Sequence, residues 1–129
     1  LGGKFGAPLP TGVGLSADQR ALFRWMNEPS NRGYVVLARN QRVGYLATVY
    51  TPLRSWYSHP YNTPYGKLRR QELDRFYESG VIVESWRRMP ILIVFEITDP
   101  GGVRVAEFEN KTTVAFRNGG YLVVKKPLS

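Results

Sequence analysis

The hydrophobic positions follow two periods, and the switch between them divides the chain. Leu22, Trp25 and Met26 fall at i, i+3 and i+4, the spacing of one helical face. Ahead of them Ser16-Ala17-Asp18-Gln19 reads as a capping box, in which the Ser16 hydroxyl accepts from the backbone and the Gln19 side chain reaches back. Asp18 suits the positive end of the helix dipole. Pro29 stops the helix, because the residue before a proline avoids helical dihedrals. Residues 34–39 and 42–50, rich in Val, Leu and Tyr, predict a hairpin across Asn40-Gln41. Residues 51–66, with Pro52, Pro60 and Pro64, predict a long loop of the length that often carries function. Residues 67–79 predict a second helix, with Leu68, Leu73, Phe76 and Tyr77 inward and Arg69, Arg70 and Glu72 outward. Gly80 is its left-handed cap.

After Gly80 the pattern predicts a meander of strands at 81–86, 91–98, 103–109, 112–117 and 121–126. Asp99-Pro100-Gly101-Gly102, Asn110-Lys111 and Asn118-Gly119 are its turns, the last an Asn-Gly signal for a type I′ hairpin. The run 91–98 is apolar at consecutive positions, which marks a central strand. With tight turns, Thr98 opposes Val103, Glu109 opposes Thr112, and Arg117 opposes Gly120. One face then carries Ile93, Phe95, Ile97, Ala106, Phe108, Ala115, Leu122 and Val124. The other carries Val94, Val103, Val105, Val114, Phe116, Tyr121 and Val123. A sheet apolar on both faces must be covered twice or curl toward a barrel. The expected fold class is α+β: two helices and a hairpin packed on a C-terminal antiparallel β-meander, or that meander closed into a barrel-like form. Residues 1–14, with their glycines and prolines, form an N-terminal arm, and 15–129 form one domain.

Composition narrows the chemistry. At 43% hydrophobic and 22% charged residues the chain is globular rather than disordered. It has no cysteine, which excludes disulfides, thiolate metal sites and a cysteine nucleophile, and its single histidine, His59, excludes a multi-histidine metal site. No cofactor is expected. No P-loop, dinucleotide fingerprint, Gly-x-Ser-x-Gly or His-Glu-x-x-His occurs. No apolar run reaches the ~18 residues of a membrane span. The start at Leu1 leads to the expectation of a soluble intracellular or organellar protein processed from a precursor.

Charge changes the picture most. The net charge is +8, from 18 basic and 10 acidic residues. Arginine predominates among the cations, and its planar fork suits phosphate and carboxylate. In the expected registers Arg39 faces Arg42 and Arg104 faces Arg117, pairs that repel unless an anion lies between them. The stretch from Arg54 to Arg70 interleaves Trp56, Tyr57, His59, Tyr61 and Tyr65 with Arg54, Lys67, Arg69 and Arg70. Rings beside arginines suit base stacking or a protein hot spot. Arg54, Trp56, Tyr57, Tyr61, Lys67, Arg69 and Arg70 are therefore the candidate partner surface, with Arg39, Arg42, Arg104 and Arg117 as further anion candidates. Glu96, Glu107 and Glu109, with Lys125 nearby, read as a solvated strand face rather than a metal or acid–base site. The expectation is a non-catalytic basic accessory subunit of a larger complex, docking on an acidic protein or polyanionic surface. A free module binding RNA or single-stranded DNA is the alternative, and a hydrolase or nuclease using Glu107, Glu109 or His59 the third reading. Partner identity and oligomeric state are not written in these residues.

Overall fold

The computed structural model describes residues 14–57, 65–98 and 114–127. Helix α1 (Ala17–Met26) begins as its capping box dictates. The Gln19 N–H donates to Ser16 Oγ at 3.0 Å, and Gln19 Oε1 accepts from the Ser16 N–H at 3.0 Å. Leu22, Phe23 and Met26 form its buried stripe. A 3-10 turn at Pro29–Asn31 leads into strand β1 (Val35–Ala38).

The expected hairpin does not form. Residues Gln41–Tyr50 are helix α2, with Asn40 as N-cap accepting from the Arg42 N–H at 2.9 Å. Val43, Ala47 and their neighbours satisfy both an alternating and a helical spacing. Tertiary packing selected the helical one, burying Val43, Gly44, Leu46 and Ala47 on one face. Arg39 and Arg42 are therefore not cross-strand partners: Arg39 follows β1 and Arg42 lies in the first turn of α2. Strand β2 (Arg54–Ser55) and helix α3 (Gly66–Ser79) follow, α3 closing on Gly80 at φ 77° as expected. The strand expected at 81–86 is an extended lead into a 3-10 turn, Glu84–Arg88, that buries Trp86. Strands β3 (Ile91–Glu96), β4 (Val114–Arg117) and β5 (Tyr121–Lys126) complete the elements.

The fold is α+β with a mixed, open, five-stranded sheet in the order β2-β1-β3-β5-β4, and among the described residues it does not close into a barrel. β1 is parallel to β2 and β3, while β5 is antiparallel to β3 and β4. β3 is central, as its apolar run predicts. Its two edges are taken by β1 and β5. Residues 99–113 lie outside the described residues, and with them the pairs Thr98–Val103 and Glu109–Thr112. The last hairpin is shifted from its expected register. Arg117 faces Leu122 instead of Gly120, and an irregularity between Val114 and Phe116 returns Val114 to the Val124 face.

Each sheet face has its own cover. α1 and α2 pack Leu22, Phe23, Met26, Val43, Leu46 and Ala47 on Val36, Leu92, Val94 and Val123. α3 and the second 3-10 turn pack Leu73, Phe76, Tyr77 and Trp86 on Leu37, Ile91, Ile93, Phe95, Leu122 and Val124. Two close contacts lock these layers. A Cβ on Gly44 would stand 2.8 Å from the Tyr57 carbonyl oxygen, so α2 lies directly on the chain leaving β2, and Ser55 Oγ donates to the Gly44 carbonyl at 2.6 Å. On the other face the Tyr77 hydroxyl is shared between the carbonyls of Leu37 (3.1 Å) and Val94 (2.6 Å), beside the point where β1 leaves β3. Gly44→Ala is expected to cost about 1–3 kcal/mol through overpacking. Tyr77→Phe is expected to cost about 1–2 kcal/mol through loss of the buried hydroxyl's hydrogen bonds to two strand carbonyls. Chemical denaturation measures both.

Candidate anion-binding surface

The predicted partner residues are divided by the fold. Trp56 and Tyr57 are core residues, 8% and 7% exposed, with Trp56 edge-on to Trp86 at 5.7 Å between ring centroids. Arg69 and Arg70, expected to face outward, are ties between layers. The Arg69 guanidinium stacks 3.9 Å from the Trp56 ring centroid and donates to the Trp56 carbonyl at 2.9 Å. Arg70 donates to the Arg39 carbonyl at 2.7 Å and pairs with Asp74 at 3.0 Å. Arg39 pairs with Glu78 at 3.2 Å. Lys67 is exposed in the first turn of α3, while Tyr65 before it is exposed with φ 54°. His59, Tyr61, Arg104, Glu107 and Glu109 lie outside the described residues. Glu96 and Lys125 do not form the expected pair: they face Tyr121 and Leu92 respectively, four residues apart along the strand pair, or about 13 Å. Among the described residues no three of His, Asp and Glu gather as a metal site.

Of the predicted partner residues, Arg54 opens onto a different surface. Val35 pairs with Arg54 on one side and Ile91 on the other, and Ile91 pairs with Lys126, so these four residues form one row across β2, β1, β3 and β5. This row is the end of the sheet where the three parallel strands begin. Arg32 precedes β1, Arg87 and Arg88 precede β3, and Lys125 and Lys126 end β5. Arg87 has Glu84 at 3.5 Å, an exposed pair of little energetic weight.

The two lysines are held in a particular way. Lys125 Nζ donates to the Ser30 carbonyl at 3.0 Å and to Asn31 Oδ1 at 2.9 Å, and lies 4.6 Å from the Tyr34 ring centroid. Asn31 is wholly buried and is oriented by its own donation to the Trp25 carbonyl at 2.8 Å. Lys126 Nζ donates to the carbonyls of Arg87 (3.1 Å) and Met89 (3.2 Å). Neutral oxygens thus fix both ammonium groups in place without cancelling their charge. At the β2 side of this end is a cleft of about 310 Å³ lined by Gly33, Tyr34, Val35, Pro52, Leu53 and Arg54.

The opposite end of the sheet is mixed in charge. It holds Asp18, whose carboxylate lies against Gly119 and Gly120, and Glu96 opposite Tyr121. Burial pushes the Tyr121 phenol above its usual range. The Gln19 amide, 3.1 Å away, opposes that rise, while the charges of Glu96 and Asp18 add to it. Sequence reasoning missed Arg32, Arg87, Arg88 and Lys126 as a group because they are dispersed along the chain. Only the parallel pairing of β1 with β2 and β3 brings the strand starts together. Their common position just outside strand ends was the signal available.

Comparison with protein-family models, with curated proteins and with solved structures finds no match to this chain. Among the described residues no helix is long and apolar enough to cross a membrane.

Arg69→Ala and Arg70→Ala are each expected to lower stability by about 1–2 kcal/mol, since each removes a hydrogen bond to a backbone carbonyl and a contact on a ring or carboxylate. Thermal melts of the single variants check this. Arg32→Ala and Arg88→Ala, on exposed side chains, are expected to leave the melting temperature within a degree or two.

Proposed function

We propose that this chain is a non-catalytic basic accessory domain of a larger complex that docks on an acidic or polyanionic surface through the end of its sheet where the parallel strands begin. The observation that carries the reading is the pair of lysines there, held by carbonyls and an amide rather than by carboxylates. A surface lysine ordinarily loses side-chain freedom when it meets a partner. Lys125 and Lys126 have already lost it, yet their charge remains for an external anion. Arg54 shares a sheet row with Lys126, and the exposed Arg32, Arg87 and Arg88 lie in the segments that lead into β1 and β3; arginine matches phosphate or carboxylate in two parallel hydrogen bonds. The net charge of +8 speeds encounter with such a partner.

Helix α2 ends at the same place, and the bare carbonyls of a helix C-terminus repel anions. Here the Ala47 carbonyl accepts from both the backbone N–H and the hydroxyl of Thr51, and the Tyr50 carbonyl accepts from Asn27 Nδ2 at 2.9 Å. That repulsion is therefore reduced.

The test is binding of fluorescent heparin, followed by anisotropy across about 50–200 mM salt. Affinity should fall linearly in a double-logarithmic plot, with a slope set by the number of cations engaged. The triple variant Arg32→Ala, Arg54→Ala, Arg88→Ala should flatten that slope by about two to three. Arg69→Ala should leave it unchanged. A triple variant with the wild-type slope would show that a different surface binds.

A further inference from the structure

The cleft at the β2 side of the basic end is walled mainly by apolar groups. Leu53 belongs to the α1–α2 core and Val35 packs against the α3-side core, so the outer ends of both cores line it, with Pro52 exposed beside them. Gly33 adds bare main chain. Its φ is +86° and no atom stands within 4 Å of the position a Cβ would take, so another chain can approach this backbone closely. Tyr34 brings no free ring face: the ring packs against the α1–α2 core, and Lys125 Nζ lies 4.6 Å from its centroid. At about 310 Å³ the cleft stands at the small end of ligand sites, enough for one apolar side chain.

The segments that form the cleft carry one sign of charge. Residues 29–36 and 51–56 hold Arg32 and Arg54 and no carboxylate. Both arginines are exposed, and Arg54 lines the cleft itself. Lys125 sits against the Tyr34 wall, held by the Ser30 carbonyl and Asn31 Oδ1. An apolar recess flanked by cations complements an apolar group flanked by carboxylates. Nucleic acid matches the cations but needs an open ring face on which to stack its bases, and none lines the cleft. Heparin and other uniformly charged polyanions match the cations and leave the recess wet. A peptide matches both, since one apolar side chain between acidic residues fills the recess while its neighbours meet Arg54 and Arg32. A buried apolar anchor supplies affinity, and the charged rim around it supplies encounter rate and selectivity.

Resting on the docking reading above, we infer that the partner is a protein presenting an acidic segment with one leucine- or phenylalanine-sized side chain, which enters the cleft between Val35, Pro52 and Leu53. The carboxylates on either side of that anchor pair with Arg54 and Arg32.

The probe is a fluorescent acidic peptide with one leucine at its centre. It is compared, on the intact chain, with the same peptide carrying alanine there, with heparin and with a single-stranded oligonucleotide. The two peptides have equal charge, so their ratio reads the recess alone. The leucine peptide should bind at least about fivefold more tightly than the alanine peptide. In nitrogen–proton correlation spectra it should also shift the amides of Gly33, Tyr34, Leu53 and Arg54 more than the alanine peptide does. Pro52→Ala, at an exposed position, should lower the leucine preference by about half or more while heparin binding persists. Arg54→Ala should weaken both peptides. If either variant proves unfolded by circular dichroism, the amide shifts of the unaltered chain carry the test. Equal affinity for the two peptides, with heparin still bound, overturns the anchor inference and leaves the docking reading standing. A leucine preference whose amide shifts fall away from the cleft overturns the cleft as its site. Tighter binding of the oligonucleotide than of the leucine peptide overturns the protein partner in favour of nucleic acid. Failure to bind any of these ligands overturns both readings.

Discussion

Strand β3 sets the terms for everything else in this fold. Five consecutive residues, Ile91 to Phe95, are at most 5% exposed, so both faces of the strand need cover and both edges need a neighbour. Alternating side chains of one strand reach opposite faces, which is why Leu92 and Val94 belong to one core and Ile91, Ile93 and Phe95 to the other. One cover alone would leave apolar side chains in water at roughly 25 cal/mol per Å². The chain meets the demand by crossing over twice from strand to parallel strand, through α2 on one face and α3 on the other. α1 completes the first layer.

The parallel crossovers have an electrostatic consequence. Parallel strands all begin at one end of a sheet, so whatever the chain places just before each strand collects there. In this chain those positions hold Arg32, the Arg54 that opens β2, and Arg87-Arg88, while β5 arrives from the opposite direction and ends in Lys125-Lys126. Mutual repulsion among these cations would cost stability if they were free to be placed elsewhere. Lys125 and Lys126 are instead tied to Ser30, Asn31, Arg87 and Met89. The hydrogen bonds offset part of the repulsion while keeping the charge outward. Asp74 and Glu78 pair with Arg39 and Arg70 near the other ends of the strands, while at the basic end Glu84 meets Arg87 in an exposed pair.

Arginine plays two roles in this chain, and burial separates them. Arg69 and Arg70 lie across the join between α3 and the segments it covers, where stacking on Trp56 and donation to backbone carbonyls give structural work to a side chain read as a contact group. Trp56 itself fills the α3-side core beside Trp86. The aromatic-basic interleaving of that stretch is thus in part an internal stacking pattern. Arg54, two residues before Trp56, takes the other role because β2 is an edge strand only two residues long and one of its residues faces the solvent.

The sequence by itself determined the elements whose signals are local. The Ser16–Gln19 capping box started α1, Gly80 ended α3, and the unbroken apolar run identified β3 as central, because each depends on atoms within a few residues. The two-sided cover was also legible, since alternation assigns faces without knowing what lies on them. Only the tertiary structure decided the state of residues 41–50. Val43, Ala47 and the Val and Tyr residues around them suit either period, and the close seat of Gly44 on the Tyr57 carbonyl exists only as a helix packed on the sheet. That one choice replaced a hairpin with a parallel crossover, gave β3 the neighbours β1 and β5, and dissolved the Arg39–Arg42 pairing. The same choice gathered dispersed cations into one surface. Parallel strand order is a relation between residues far apart in the chain, and no local pattern encodes it.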